Sequence, residues 1–281
     1  MGGKSQAEQH VFFRILSFSL LAYLFLPHLM ESRPDMMNEP STTGVESMPD
    51  LTIISREPHE SARSWVYRLI VHNIVHLLLP PGSALIESEF RERLAVSRTP
   101  IREAFMQLAQ DDFITIIPQK GTYVNRVDMS EALDLWYIRC SVETETARRA
   151  AGNVTPEMDR ELRHCIKVQE EMARIRDFEK FAELDDAFHK IIYKAAGKES
   201  VWDFFRRTNV LHFRNRLLRL RVGRETEALI RQHKDIARAL LKGDPEQAAE
   251  KMQRHLSDAN RNAGSIQEEF PDYITPSKTP T

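Results

Sequence analysis

Asp185 and His189 stand one helical turn apart in the stretch DFEKFAELDDAFHKIIYKAAG, and a carboxylate and an imidazole at that spacing meet on one helix face. Phe181, Phe188 and Ile192 mark that face as the inward one. Two more histidines lie on apolar stripes: His233 in the series Leu229, His233, Ile236, Leu240, and His255 in Ala248, Met252, His255, Ala259. They fall about ten residues before and about eleven after the Gly243-Asp244 turn, so at about 1.5 Å rise per residue they come level across a helical hairpin. One carboxylate and three imidazoles suit zinc, nickel, manganese or iron(II). A buried, unpaired Asp185 would be costly, and a divalent cation is one remedy. Core histidines that merely hydrogen-bond are the competing reading; the Asp-x-x-x-His pair with two level histidines favours ligation. His72, His76, His164 and His212 have no acidic partner at ligand spacing and read as structural or surface residues.

A second constellation occupies LAVSRTPIREAFMQLAQDDFI, residues 94–114. Ile101, Ala104, Phe105 and Leu108 commit one helix face to a core. Thr99 is the expected N-cap, and Pro100 suits the first helical position. The exposed start then carries hydroxyls, free backbone N–H groups and the guanidinium forks of Arg98 and Arg102, which is equipment for holding an anion.

Stepping outward to the elements, Val66, Leu69, Ile70, Ile74, Leu77 and Leu78 form a stripe from Ser61 until Pro80-Pro81-Gly82. A short helix is expected from Ser88, and Ala95-Val96-Ser97 turns into the helix above. FITIIPQKGTYVNRV then alternates into two strands about a Pro118–Gly121 turn, with Lys120 and Gly121 at the tip. Helix, helix, turn, helix and hairpin make a winged helix-turn-helix, whose third helix enters the major groove. From Met129 to about Asn262 every periodic segment is helical, with breaks at Gly152, Asp177, Gly197, Gly223 and Gly243-Asp244-Pro245. About six helices without strands make an all-α bundle, so the expected fold is mainly α.

With 39 basic and 41 acidic residues, only a local patch can hold a polyanion. Cys140 and Cys165 form no disulfide framework, which fits a reducing cytoplasm. The uncharged run ILSFSLLAYLFL, residues 15–26, is shorter than the roughly 20 residues a spanning helix needs. It reads as a non-native upstream extension with translation starting at Met36, Met37 or Met48, a membrane anchor being the alternative. The expected division is a disordered or non-native extension over 1–57, a DNA-binding domain over 58–127, an effector domain over 128–264 and a disordered tail over 265–281.

The stretch PPGSALIESEFRERLAVSRTPIREAFMQLAQDDFITIIPQKGTYV resembles the DNA-binding domain of GntR-family transcription regulators. The resemblance implies base or phosphate contacts from Ser97, Arg98, Thr99 and Arg102, with Lys120 and Gly121 contributed by the wing. Many members carry an arginine where this chain has Ser88, which implies one contact fewer. LDLWYIRCSVETETARRAA, ELDDAFHKIIYKAAG and HKDIARALLKGDPEQAAEKMQRHL resemble the FCD effector domain of the FadR-type branch. In its metal-binding members the ligands fall on Asp185, His189, His233 and His255, and an arginine facing the effector pocket falls on Arg139. An ion-paired Arg139, with Glu143 at i+4, is the alternative.

The expectation is a cytoplasmic homodimer, not an enzyme, that binds a pseudo-palindromic double-stranded operator and has no membrane partner. A small organic acid on the divalent ion (zinc, nickel or manganese) and on Arg139 would shift its operator affinity. The rivals are a metal-dependent hydrolase, for which neither HExxH nor an evident general base is present, and a direct metal-ion sensor.

Overall fold

The computed structural model describes residues 49–208, 210–222, 226–261 and 263–275. Helix α1 spans Ala62–Val75 and starts at Ser61, whose hydroxyl accepts from the Ser64 N–H at 3.0 Å. Helix α2, Glu87–Leu94, begins before Ser88: Ile86 is its N-cap, and Ser88 lies inside the first turn. Ala95, at φ 52°, turns the chain into α3, Arg98–Gln110. Ser97 rather than Thr99 is the N-cap of α3, with φ −69° and ψ 167°. Pro100 is therefore third in the helix, still among the four positions whose N–H has no partner inside it. Ile101, Ala104, Phe105 and Leu108 are all buried, as their spacing requires.

Strands β2 (Ile114–Ile117) and β3 (Gly121–Val124) form the antiparallel wing. A third strand, β1 (Ala84–Leu85), pairs with β3, giving the sheet order β1-β3-β2. At two residues β1 is too short to leave a periodic signal. Residues 49–57, read as part of a disordered lead-in, are instead tied to α1: Thr52 donates its N–H to Asn73 Oδ1 at 2.9 Å, and Ile54 is buried in the same core. The apolar run 15–26 and the three candidate start methionines lie outside the described residues. No helix among the described residues is long and apolar enough to cross a membrane.

The second half consists of α4 (Met129–Ala150), α5 (Pro156–Ile175), α6 (Phe178–Ala195), α7 (Glu199–Thr208), α8 (Val210–Val222), α9 (Thr226–Lys242) and α10 (Pro245–Arg261). The expected breaks at Gly152, Asp177, Gly197 and Gly243 all fall between helices, while the one at Gly223 lies outside the described residues. Gly152 and Gly243, both at positive φ, bring the α4–α5 and α9–α10 turns together. A Cβ built on Gly152 would come within 3.7 Å of Gly243 Cα.

The tail read as disordered from 265 is partly ordered. Helix α11 (Ala263–Glu269) and a 3-10 turn at Pro271–Tyr273 lead to Ile274, which bridges in parallel to Val127. Ile266 and Ile274 are buried with Leu77, Val127, Leu217 and Leu218, because these apolar residues cover one another at the junction of the two halves. Phe213 of α8 packs against each of the three hydrophobic clusters found among the described residues.

Candidate metal centre and nucleic-acid interface

Helix α6 supplies Asp185 and His189, α9 His233 and α10 His255, all four buried. One ligand atom from each lies within 4.8 Å of the others. The residues brought together are thus the four expected from spacing. His233 Nε2 stands 3.2 Å from Asp185 Oδ1, and His189 Nε2 stands 3.3 Å from His255 Nε2. The phenyl ring of Phe188 stacks on His233 at 4.2 Å between centroids and limits its rotation.

The outer nitrogen of every ring touches an oxygen. His189 Nδ1 lies 2.6 Å from Glu143 Oε2, His233 Nδ1 2.8 Å from Gln169 Oε1, and His255 Nδ1 2.9 Å from Gln232 Oε1. Gln232 donates its amide to Asp258 at 2.9 Å, which turns its oxygen toward His255. An oxygen on Nδ1 holds the ring proton there and leaves the Nε2 lone pair pointing inward. The inward Nε2 of His233 has no hydrogen-bond partner. Its nearest neighbour is a carboxylate oxygen, and two electron-rich atoms at that distance call for a cation between them. The donor set therefore fits a divalent ion of the zinc, nickel or manganese type.

Glu143 is held in turn by Arg139, whose Nε stands 2.6 Å from Glu143 Oε1. Burial pushes the Glu143 carboxyl up, but the charge of Arg139 overcomes it and holds it well below its usual range. Arg139 is thus the buried i+4 ion pair weighed as the alternative. It also borders a small cavity of about 10 Å³, room for one water, shared with Asp185, Arg216, Arg219 and His255. Burial likewise lowers the imidazoles of His233 and His255, which keeps them neutral and able to ligate.

A divalent ion is one remedy for the buried Asp185 carboxylate. Arg216 of α8 is a second one, with Nη1 at 2.5 Å from Asp185 Oδ2 and Nη2 at 2.5 Å from Asp186 Oδ1. Burial raises the Asp185 carboxyl, yet the Arg216 guanidinium holds it well below the ordinary carboxylate value. His76, read as lacking an acidic partner, has one from a distant segment: its Nδ1 lies 2.5 Å from Glu179 Oε1. Sequence spacing misses this pair because the partners are brought together only by the packing of α1 on the second half.

Ser97, Arg98, Thr99 and Arg102 are all exposed around the start of α3, and Lys120 and Gly121 are exposed on the wing. Arg98 Nε lies 3.4 Å from Glu87 Oε2, and Arg102 Nε lies 3.6 Å from Glu87 Oε1. One carboxylate at the start of α2 therefore draws both guanidinium groups to one spot. The Ser97 hydroxyl makes no capping hydrogen bond. Hydroxyl, arginines and helix N-terminus thus stand together at one exposed end of α3.

Residues 62–124 match the family described as bacterial regulatory proteins, gntR family, and residues 134–258 match the FCD domain. The chain is 33% identical over 218 residues to the HTH-type transcriptional repressor RspR of Escherichia coli K12, covering 78% of this chain and 96% of that protein. It is 24% identical to the HTH-type transcriptional repressor GlaR of the same organism, over 68% of this chain and 90% of the relative. The solved structure of E. coli McbR/YncC superposes with a TM-score of 0.59 at 20% identity, over 75% of this chain and 99% of that one. RspR and GlaR are transcriptional repressors by name, and the solved structure shares the fold. A winged helix-turn-helix joined to an all-α FCD effector domain, matched along both segments, places this chain in the GntR family of transcription regulators.

Proposed function

We propose that the protein is a cytoplasmic homodimer that binds a pseudo-palindromic operator, with affinity set by a small organic acid at a metal site in the FCD domain. Each α3 reads one half-site through Ser97, Arg98, Thr99 and Arg102, while Lys120 and Gly121 meet the backbone beside it. Asp185, His189, His233 and His255 hold a divalent ion, which when bound supplies open coordination positions for a carboxylate. Arg139 offers the guanidinium fork that meets the acid's second oxygen from the cavity wall.

The observation that carries this reading is the convergence of three inward ring nitrogens on one carboxylate, with an oxygen behind each ring. The guanidinium groups of Arg139, Arg216 and Arg219 beside the four residues favour an anionic ligand, and the cavity they border, about 10 Å³, must widen to admit it.

The test is operator affinity by fluorescence anisotropy, with chelated and zinc-loaded protein, across a panel of mono- and dicarboxylic acids. The expected result is a severalfold, saturable change that needs both metal and acid. A change with metal alone would make the protein a direct ion sensor, and indifference to both would leave the FCD site without a regulatory role.

A further inference from the structure

Arg214 and Arg216 stand two residues apart on α8, both nearly fully buried, and residues at that spacing point to different sides of a helix. Arg216 faces the Asp185 and Asp186 carboxylates as described. Arg214 faces the other half of the molecule and donates from Nη1 to the backbone carbonyl of Asn125 at 2.9 Å.

Asn125 directly follows the wing and is fastened to it at three points. Its N–H donates to Phe113 O at 2.9 Å, its side-chain amide donates to Asp112 O at 2.9 Å, and its Oδ1 accepts from the Thr115 hydroxyl at 2.6 Å. Leu217 and Leu218, one turn further along α8, pack with Leu77 and Val127 at the end of the DNA-binding half. One helix thus touches a carboxylate of the metal centre on one side and the root of the wing on the other.

The Arg216 guanidinium and a divalent ion are both cations that would share the Asp185 carboxylate. Two such charges on one anion repel, strongly where burial excludes water. Asp186 is the retreat already in contact with Nη2, and Arg206 pairs with it from α7. A packed helix moves as a unit, so a shift of Arg216 is felt at Arg214.

We infer that Arg216 is the resident counter-cation of Asp185, that a divalent ion in the site drives it toward Asp186, and that α8 delivers the shift to the wing through Arg214 and Asn125. This inference rests on the metal reading above. Arg214 and Arg216 are positioning residues in it, since they act on DNA only through Asn125 and the wing.

The test uses the full-length protein with zinc alone as the probe, and a duplex that the protein itself selects from random sequence. Zinc affinity is read by competition with a chromophoric chelator, and duplex affinity by anisotropy with and without zinc. Arg216→Gln should bind zinc at least tenfold more tightly than wild type, because the competing cation is gone, and its duplex affinity should no longer respond to zinc. Arg214→Gln should bind zinc as wild type does, yet lose at least half of the zinc effect on duplex affinity. If Arg216→Gln folds only with zinc present, Arg214→Gln carries the test, since it leaves every partner of Asp185 in place. Arg216→Gln with unchanged or weaker zinc affinity, or Arg214→Gln with the full zinc effect, overturns the relay while leaving the metal site standing. A wild type that takes up no zinc overturns the metal reading and the relay together.

Discussion

His189 Nε2 and His255 Nε2 face one another across 3.3 Å, while the far nitrogen of each ring touches an oxygen. With both outer nitrogens protonated, the facing atoms present two lone pairs, and the contact is favourable only with a cation between them. Protein purified without chelator should therefore carry about one divalent ion per chain, with His233→Ala and His255→Ala each losing it. An ion at about a hundred times its Kd should stabilise the fold by about 2.7 kcal/mol, read as a rise in Tm. Metal analysis that finds none, with no Tm response to zinc, nickel or manganese, would return the four residues to a structural polar cluster.

Glu143 stands behind His189 as Gln169 and Gln232 stand behind the other two rings. Glu143→Gln keeps the shape but removes the charge that orients His189, so metal affinity should fall about 10- to 100-fold. Arg139→Ala should go further and lower Tm, because it strands a buried carboxylate; breaking such a pair costs about 3–5 kcal/mol. Wild-type metal affinity in Glu143→Gln would show that the carboxylate serves Arg139 alone.

At the DNA-binding surface, Arg98→Ala and Arg102→Ala should each abolish specific operator binding without loss of helix content, since a base-reading arginine is worth about 1–3 kcal/mol per half-site. Lys120→Ala should weaken binding evenly across sequences and flatten the salt dependence. Glu87→Gln should act in the opposite sense. Releasing two guanidinium groups and removing a negative charge beside the phosphates should raise affinity for unrelated duplexes severalfold. Anisotropy at two salt concentrations separates these outcomes, and unchanged affinity in both arginine variants would sink the assignment of α3.

Burial pulls the His72 imidazole from an ordinary 6.5 down to about 4, with the neighbouring His76 adding to the effect. As pH falls, the unfolded chain takes up this proton before the folded one does. The stability contribution is therefore complete above pH 6.5 and is lost as pH falls toward about 4. His72→Gln should flatten this limb of the Tm–pH profile. A profile parallel to wild type would assign the acid limb to other groups.

The four clustered positions, Asp185, His189, His233 and His255, were legible because each is a polar residue on an otherwise apolar stripe of a strongly periodic helix. The wing and α3 were legible from alternation and from SRTPIREA. Helix starts were less so: Ser97, Thr99 and Ser88 are all competent caps, and side-chain type alone does not choose among them. Arg216 left no signal. In VLHFRNRLLRLRV arginines occur at Arg214, Arg216, Arg219 and Arg221, and no period separates those that enter the core from those that reach water. Gln169 could have been found, since it follows Leu162, Cys165 and Ile166 at helical spacing on a buried face. Glu179 and His76 could not, being about a hundred residues apart in sequence.

The pairing of Ile274 with Val127 bears on how such a regulator can be recombined. Val127 takes its backbone partners from Tyr273 and Thr275, and Leu77 is covered by the same terminal segment. A fragment ended after the wing would bare an apolar seam and leave the Val127 backbone groups unpaired. Chimeras that join this DNA reader to another effector domain should keep residues 263–275 together with 49–127, treating the last segment of the chain as part of the first domain. Grafts cut at the linear boundary alone would inherit a seam prone to self-association.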